Sequence, residues 1–288
     1  MNDKNAPKGI TYYSKIYDVA FYVLSSDEIL LGSNVYVKNK EIMKYDIPTT
    51  EGLYDRRMGT TDFSWDCLTC SNRKTICPGH FGSIDLKYPV KSPLFQDELL
   101  KWLKVICHNC GEPTVELKKN FPPGKRLSEL SKLSRNILEC PHCNFKKWHV
   151  NKDPKRPFIF MREYTERDHT VQEEFYNHNI RKVLERIKSS TVLKIGKPLR
   201  SHPKNFILTT ISAPPNTMRP DIKRIGGTRS SNSDTTSLLK TIVEINEKLP
   251  DEIPLNEHLT SAIKDGYSNL DMAYFVMIKG GNSGENKL

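Results

Sequence analysis

The sequence predicts an α+β fold in which an irregular part with short strands and a helical part are held together by bound metal ions. All seven cysteines lie in the first half of the chain, in C-x-x-C or C-x-x-H pairs. Short runs rich in Tyr, Ile and Val alternate with stretches whose apolar residues recur at helical spacing. Hydrophobic residues make up only 37% of 288 residues, which predicts a modest core in one or two domains.

The N-terminal quarter contains signals for short elements. Residues 10–24 are rich in Tyr, Ile and Val and predict a strand region. Ser25 with Glu28 three residues later is a capping box, which predicts a short helix through Leu31. Residues 35–37 predict another strand, and residues 44–66 a loop.

The middle of the chain alternates between strand and helix signals. Residues 84–90 predict a short strand. Helical spacing predicts helices over 93–106, 126–138 and 166–188, and the stretch from 144 to 156 between the last two is basic.

The last third begins with a predicted buried strand at 206–209, followed by prolines that keep the backbone extended. The segment 222–236 is rich in Gly, Ser and Arg and predicts a mobile loop. Residues 236–248 and 255–278 predict helices.

The cysteine pairs form two sets of metal ligands that leave no cysteine over. One set has C-x2-C-x6-C-x2-H spacing, and the other joins two C-x2-C pairs that are 29 residues apart. Four thiolate or imidazole donors suit tetrahedral zinc, and a closed shell indicates a structural ion. The predicted zinc ligands are Cys67, Cys70, Cys77 and His80 in the first set, and Cys107, Cys110, Cys140 and Cys143 in the second.

Other interpretations of these cysteines are weaker. Buried free thiols need no turn spacing, and a redox C-x-x-C pair needs no second pair. His108 or His142 could replace a cysteine in the second set, but we favour four cysteines, with both histidines pointing outward.

The chain has a formal charge of +10, which favours nucleic acid or an acidic partner. The positive charge is concentrated between residues 191 and 230, a stretch that contains eight basic residues and one acidic residue. The candidate nucleic-acid contacts are Arg219, Lys223, Arg224 and Arg229, around the flexible Gly226-Gly227 pair. A merely solvated positive surface is the alternative. Phe206 is the only aromatic residue in this stretch, so base stacking is not expected.

The sequence lacks the motifs that are typical of several classes of enzyme. There is no Gly-rich phosphate loop, no Asp-x-Asp-x-Asp cluster for magnesium and no nucleophile with a matching histidine set. No catalytic residue is therefore predicted. No apolar run is long enough for a membrane span, and the polar N-terminus lacks a signal-peptide core, so a membrane or secreted location is not expected.

The motifs resemble the N-terminal clamp of the largest subunit of multi-subunit DNA-directed RNA polymerase, of the eukaryotic, archaeal and large-DNA-virus type. The likeness covers most of residues 10–280. It is carried by residues 54–60, the run Cys77-Pro78-Gly79-His80-Phe81-Gly82, residues 105–111, residues 206–209, Pro214-Pro215 and Met218-Arg219-Pro220.

The resemblance implies a division into a clamp core at 1–90, a clamp head at 91–190 and a return to the core at 191–288. The basic loop after Pro220 would correspond to the lid, although it is richer in Gly and Ser.

The implied partners are DNA, the RNA–DNA hybrid, the second-largest subunit and the remainder of the largest subunit. The catalytic Mg²⁺ would belong to that remainder, so the chain by itself should be inactive. The implied location is the nucleus or, for a virus, the host cytoplasm or virion.

The sequence leaves rival functions open. A free-standing zinc-ribbon adaptor or transcription-factor module is the main alternative, and a cross-braced ubiquitin-ligase module would interleave its ligand pairs. An enzyme in its own right is the third class, for which we expect no activity.

Overall fold

The computed structural model describes most of the chain and has the α+β architecture that the sequence predicts. The described residues are Ile16 and the ranges 22–45, 47–116, 121–166, 169–223, 230–253 and 259–279. Their helices are α1 (Ser26–Leu31), α2 (Gln96–Val105), α3 (Pro123–Leu133), α4 (Asn177–Glu185), α5 (Ser189–Lys194), α6 (Asp234–Lys248) and α7 (Ser261–Lys279). Their strands are β1 (Met43–Lys44), β2 (Ile47–Pro48), β3 (Gly82–Lys91), β4 (His149–Lys152), β5 (Phe160–Glu166), β6 (His169–Glu174), β7 (Ile207–Ala213), β8 (Ile222–Lys223) and β9 (Ser230–Ser231).

The antiparallel pair of β3 and β7 is the central sheet of the first core. Its register runs from Gly82 opposite Ala213 to Lys91 opposite Ile207 and shifts between Asp85 and Val90. The shift spans Pro89, which has no N–H to donate to a strand ladder. The strands β3 and β7, which are distant in sequence, therefore pair on both sides of this irregularity in their register.

A second, three-stranded antiparallel sheet has the order β4-β5-β6. Its last strand lies where the sequence predicts the first part of a helix over 166–188. That prediction is wrong for 169–174 and right for 177–185, where α4 forms. Pairing along the preceding strand β5, with Tyr164 opposite Val171, is a cross-strand interaction that the apolar spacing of the segment does not reveal.

The buried side chains form two clusters. The first packs β3 and β7 against α6 and α7, with Ile84, Ile211 and Leu270 at most 1% exposed. The second packs α2, α3, α4 and α5 against the three-stranded sheet and extends to Phe206 and Ile207. The predicted boundaries at 90 and 190 remain predictions.

A buried polar network lies where the two clusters meet. The ammonium group of Lys91, at the end of β3, is 2.7 Å from the carboxylate of Asp271 on α7. Lys91 also donates a hydrogen bond to Asn177 at the start of α4, and the Asn177 amide donates to Asp271 at 2.8 Å. The side chains of Lys91 and Asp271 are only 3% and 8% exposed. One ion pair and the hydrogen bonds of Asn177 therefore join β3, α7 and α4, and α4 belongs to the second cluster.

Other local predictions have mixed outcomes. The Ser25–Glu28 capping box is confirmed, because the Glu28 N–H donates to Ser25 Oγ and the Ser25 N–H donates to the Glu28 carboxylate. The predicted strand at 35–37 is only an isolated bridge between Tyr36 and Ser83. The predicted strand region at 10–24 lies mainly outside the described residues. Among the described helices, none combines the length and apolar character needed to cross a bilayer.

Candidate metal centres and nucleic-acid contacts

The first candidate metal centre is built from a loop that precedes β3. It brings together Cys67, Cys70, Cys77 and His80, whose donor atoms all lie within 4.8 Å of one another. The sulfur atoms of Cys70 and Cys77 are 3.6 Å apart, and Cys77 Sγ is 3.7 Å from His80 Nε2. The two predicted pairs of this set therefore converge on one point.

Tight turns aim these donors inward. The N–H of Thr69 donates to Cys67 Sγ and the N–H of Gly79 donates to Cys77 Sγ, each at 3.4 Å. Gly79 has a φ of +83°, and a Cβ there would come within 2.6 Å of Pro215. The turn thus needs glycine both for its backbone conformation and for its close approach to the segment after β7.

The second candidate centre joins elements that are far apart in sequence. Cys107 and Cys110 follow α2, whereas Cys140 and Cys143 precede β4. Their four sulfur atoms also lie within 4.8 Å of one another, with 3.6 Å between Cys107 and Cys143 and 3.7 Å between Cys110 and Cys140. Backbone N–H groups of the residues two positions after Cys107 and Cys140 donate to these sulfurs at 3.4 Å. Both turns therefore have the same geometry as those of the first centre.

One thiol in each centre ionises readily. A hydrogen bond from His80 lowers the pKa of Cys70 to about 6. The backbone N–H of Phe145 lowers the pKa of Cys143 to about 7. Burial acts in the opposite direction on other ligands and raises the pKa of Cys77 to about 11 and that of Cys107 to about 12. Since the thiolate is the form that binds metal, Cys70 and Cys143 are the more readily ionised ligands of their centres.

The chemistry of the donors fits a closed, soft-ligand site. Each centre offers four donors, which are sulfur alone or sulfur with one imidazole nitrogen, and such sets are compatible with zinc. Each centre combines ligand pairs that are consecutive along the chain rather than interleaved. This arrangement is not the cross-brace of a ligase module.

The two rival histidines do not join the second centre. His142 is exposed, whereas His108 is 1% exposed and stacks on Trp148 with 5.1 Å between ring centroids. Burial lowers the pKa of His108 to about 3, so its ring is neutral. The prediction that both histidines point outward is therefore wrong for His108, because aromatic packing draws its ring inward.

The second centre is fastened to α4 and α5 by side chains that the sequence analysis did not single out. Arg186 donates to the carbonyls of His108 and Asn109 at 2.8 and 3.0 Å. Lys188 pairs with Glu112 at 2.7 Å, next to the first ligand turn. Their separation of more than 70 residues from the turn leaves no sequence signal.

Arg219 does not have the exposure that a nucleic-acid contact requires. It is 1% exposed, and its guanidinium donates to the carbonyls of Leu53 and Pro214 and to the side chains of Asn216 and Thr236. Burial lowers its pKa to about 10, which still leaves it charged at neutral pH. The prediction for Arg219 is corrected: the residue joins the segment after β7 to the segment that precedes the first centre.

The remaining candidate contacts lie at the edge of the described chain. Lys223 belongs to the backbone of β8, which pairs with β9 through Lys223 opposite Ser230. Arg224 and Arg229 lie outside the described residues, within the segment between these two strands. The backbone on either side of that segment therefore forms the base of a hairpin.

Comparison with known proteins identifies relatives over most of this chain. The family described as RNA polymerase Rpb1, domain 1, matches residues 13–273. A DNA-directed RNA polymerase RPB1 homolog of African swine fever virus is 31% identical over 246 residues, which are 84% of this chain and 17% of the viral protein. The DNA-directed RNA polymerase subunits Rpo1N of Methanococcus vannielii and Sulfolobus acidocaldarius are 31% and 32% identical, over 83% of this chain and 28% of each archaeal protein.

The chain thus spans less than a third of the length of these relatives. Its match to the family covers both candidate metal centres and, except for Tyr274, the buried residues of both hydrophobic clusters. The chain belongs to the RNA polymerase Rpb1 domain 1 family.

Proposed function

We propose that this chain is the N-terminal clamp region of the largest subunit of a DNA-directed RNA polymerase. Its role is structural and binding: two zinc ions hold the fold, and a basic loop contacts DNA and the RNA–DNA hybrid. The observation that carries the proposal is the pair of four-donor centres within a family match that spans residues 13–273. The other polymerase subunits and the remainder of the largest subunit are the proposed protein partners.

The proposed zinc ions are structural. The ligands are the four donors of each centre, and a closed shell leaves no position at which a metal-bound water could react. Zinc would supply folding free energy by fixing the ligand turns, while the N–H···S hydrogen bonds orient the sulfur atoms. Elemental analysis should find two zinc ions per chain, and their absence would contradict the proposal.

Polymerisation chemistry is not part of the proposed role. The sequence has no Asp-x-Asp-x-Asp cluster able to hold Mg²⁺ through several carboxylates. Catalytic magnesium is therefore assigned to another part of the enzyme, and the isolated chain should not extend a primer. The proposed location is that of the polymerase, in the nucleus or, for a virus, in the host cytoplasm or virion.

A free-standing zinc-ribbon adaptor is the alternative function. The consecutive pairing of ligands within each centre argues against its cross-braced ligase variant. The extent of the family match argues against a small zinc module, because it includes the helices and strands outside the ligand turns.

The proposed nucleic-acid contact rests on Lys223, Arg224 and Arg229. Arg219 is excluded because it is buried, and its guanidinium instead donates to the carbonyls of Leu53 and Pro214. Four of the ten residues from 222 to 231 are Gly or Ser, which suits a loop that adjusts to a phosphate backbone.

The test is the salt dependence of binding to a fluorescent RNA–DNA hybrid. Replacing Arg224 and Arg229 by Ala should weaken binding and reduce the slope of log K against log salt by about two, since each phosphate contact contributes roughly 0.9. The matched control replaces Lys40 and Lys132 by Ala, two exposed members of surface ion pairs. An unchanged slope in the loop variant, or an equal change in the control, would reject the loop as the contact.

A further inference from the structure

A cavity of about 360 Å³ opens on the second cluster, away from the ligand turns of the first centre. Its wall is formed by the end of α2, by the turn of 3-10 helix that follows α3, and by β4 and β5. The charged residues of the wall are Lys104, Arg135 and Lys147, with His149 beside them and Glu163 as the acid. The wall thus contains three cationic side chains and one carboxylate.

The hydrogen-bond partners of the two lysines in the cavity wall are neutral. Lys147 is 7% exposed and its ammonium donates to the carbonyl of Ser134 at 2.7 Å. Lys104 donates to Asn151 Oδ1 at 3.1 Å. Within the described part of the chain, neither lysine forms an ion pair with a carboxylate. By contrast, Lys91, the other buried lysine among the residues that the structure describes, has the carboxylate of Asp271 at 2.7 Å.

Placing cations together without carboxylate partners has an energetic cost. Burial lowers the pKa of Lys147 to about 8; the Cys107 thiolate acts in the opposite direction, and repulsion by Lys104 adds to the lowering. Burial and repulsion by Arg135 also lower the pKa of Lys104. An anion in the cavity would relieve both the repulsion and part of the desolvation.

We propose that this cavity binds a phosphate group. Lys104, Arg135 and Lys147 are its donors, and Ser134 and Asn151 fix the two lysines beside it. After Glu163 is counted, the wall has an excess of two positive charges, which matches the roughly −1.5 to −2 charge of a phosphate monoester at neutral pH. The phosphate can come from a free anion or nucleotide, or from a nucleic-acid backbone. The site does not include residues 222–231, so it stands or falls independently of the proposed function.

The test uses the 288-residue chain and two variants that remove one charge each, Lys104→Gln and Arg135→Gln. Inorganic phosphate, a nucleoside triphosphate and a short oligonucleotide are titrated separately at constant ionic strength, and binding is followed by calorimetry or by NMR shifts of the cavity residues. Each variant should weaken the binding of inorganic phosphate about tenfold or more, since a hydrogen bond to a charged group contributes roughly 1.5–3 kcal/mol and every 1.4 kcal/mol is about tenfold.

Lys132→Gln is the matched control, because Lys132 lies close to Arg135 in sequence but is 64% exposed and pairs with Glu129 at 2.8 Å. It should change the affinity less than about twofold. No saturable binding of any probe up to roughly 10 mM, or equal losses in the control, would overturn the proposal. An oligonucleotide that binds more tightly than the free anions, with the same dependence on Lys104 and Arg135, would identify the backbone as the source of phosphate. The reverse order would identify a free anion.

Discussion

The two candidate metal centres have the same ligand turns but close very different lengths of chain. The first runs from Cys67 to His80 within a single loop, and apolar side chains near its ligands, such as Phe63 and Ile76, are exposed. The second joins the end of α2, where Ile106 is fully buried, to the segment before β4. The first centre therefore organises a loop on the first cluster, whereas the second holds elements of the second cluster together. Ligand pairs with the same two-residue spacing can therefore stabilise either a local loop or the packing of distant elements, depending on which elements flank them.

The largest expected effect separates these two roles. If the second centre holds zinc as proposed, Cys140→Ser should release it and unfold much of the second cluster, because that ion would fasten α2 to the sheet; structural zinc contributes roughly 10 kcal/mol or more in small domains. Cys70→Ser should release one ion but leave both clusters folded. Hydrogen exchange of Leu103 and Val150 amides measures the difference. Equal protection loss in the two variants would contradict the comparison.

The ion pair at the junction gives the next largest effect. Asp271→Ala leaves the ammonium of Lys91 buried beside Asn177 without its carboxylate, which should lower the free energy of unfolding by about 3–5 kcal/mol. Chemical denaturation measures this loss. Glu247→Ala is the control, since its partner Lys40 is 51% exposed and the pair should contribute less than about 1 kcal/mol. Similar losses in both variants would show that burial of the Lys91 pair does not matter.

Arg219→Met tests the attachment beside the first centre. The substitution keeps most of the apolar stem but leaves the carbonyls of Leu53 and Pro214 without this donor, which should cost about 2–4 kcal/mol. Denaturant midpoints measure the cost, with Arg156→Met as a control at a half-exposed surface pair. A loss of nucleic-acid affinity without a loss of stability would instead restore Arg219 as a direct contact.

The smallest expected effect sets the scale for a purely local element. Ser25→Ala removes the oxygen that accepts from the Glu28 N–H, so the free energy of unfolding should fall by about 1 kcal/mol. Ser237→Ala, on an exposed position of α6, should change it by less than about 0.5 kcal/mol. A larger loss at Ser25 than at Asp271 would invert the order that burial predicts.

Local signals in the sequence were reliable where the structure depends on neighbouring residues. The Ser25 capping box, α2 and the ligand turns all form within a few residues of the signals that predict them. The strand at 169–174 was missed because its stability comes from pairing with β5 rather than from its own periodicity. The burial of His108 was missed because the ring is drawn inward by Trp148, 40 residues further along the chain.

The sequence by itself determined the eight donor residues, their division into pairs and the resemblance to the Rpb1 family, since ligand spacing is a property of short turns. Only the tertiary structure decided that Arg219 is a buried attachment, that Lys91 joins the two clusters, and that Lys104, Arg135 and Lys147 share a cavity. The physical reason is that the burial and partners of a charged side chain are set by segments that fold against it from far along the chain, and a linear pattern does not encode those contacts.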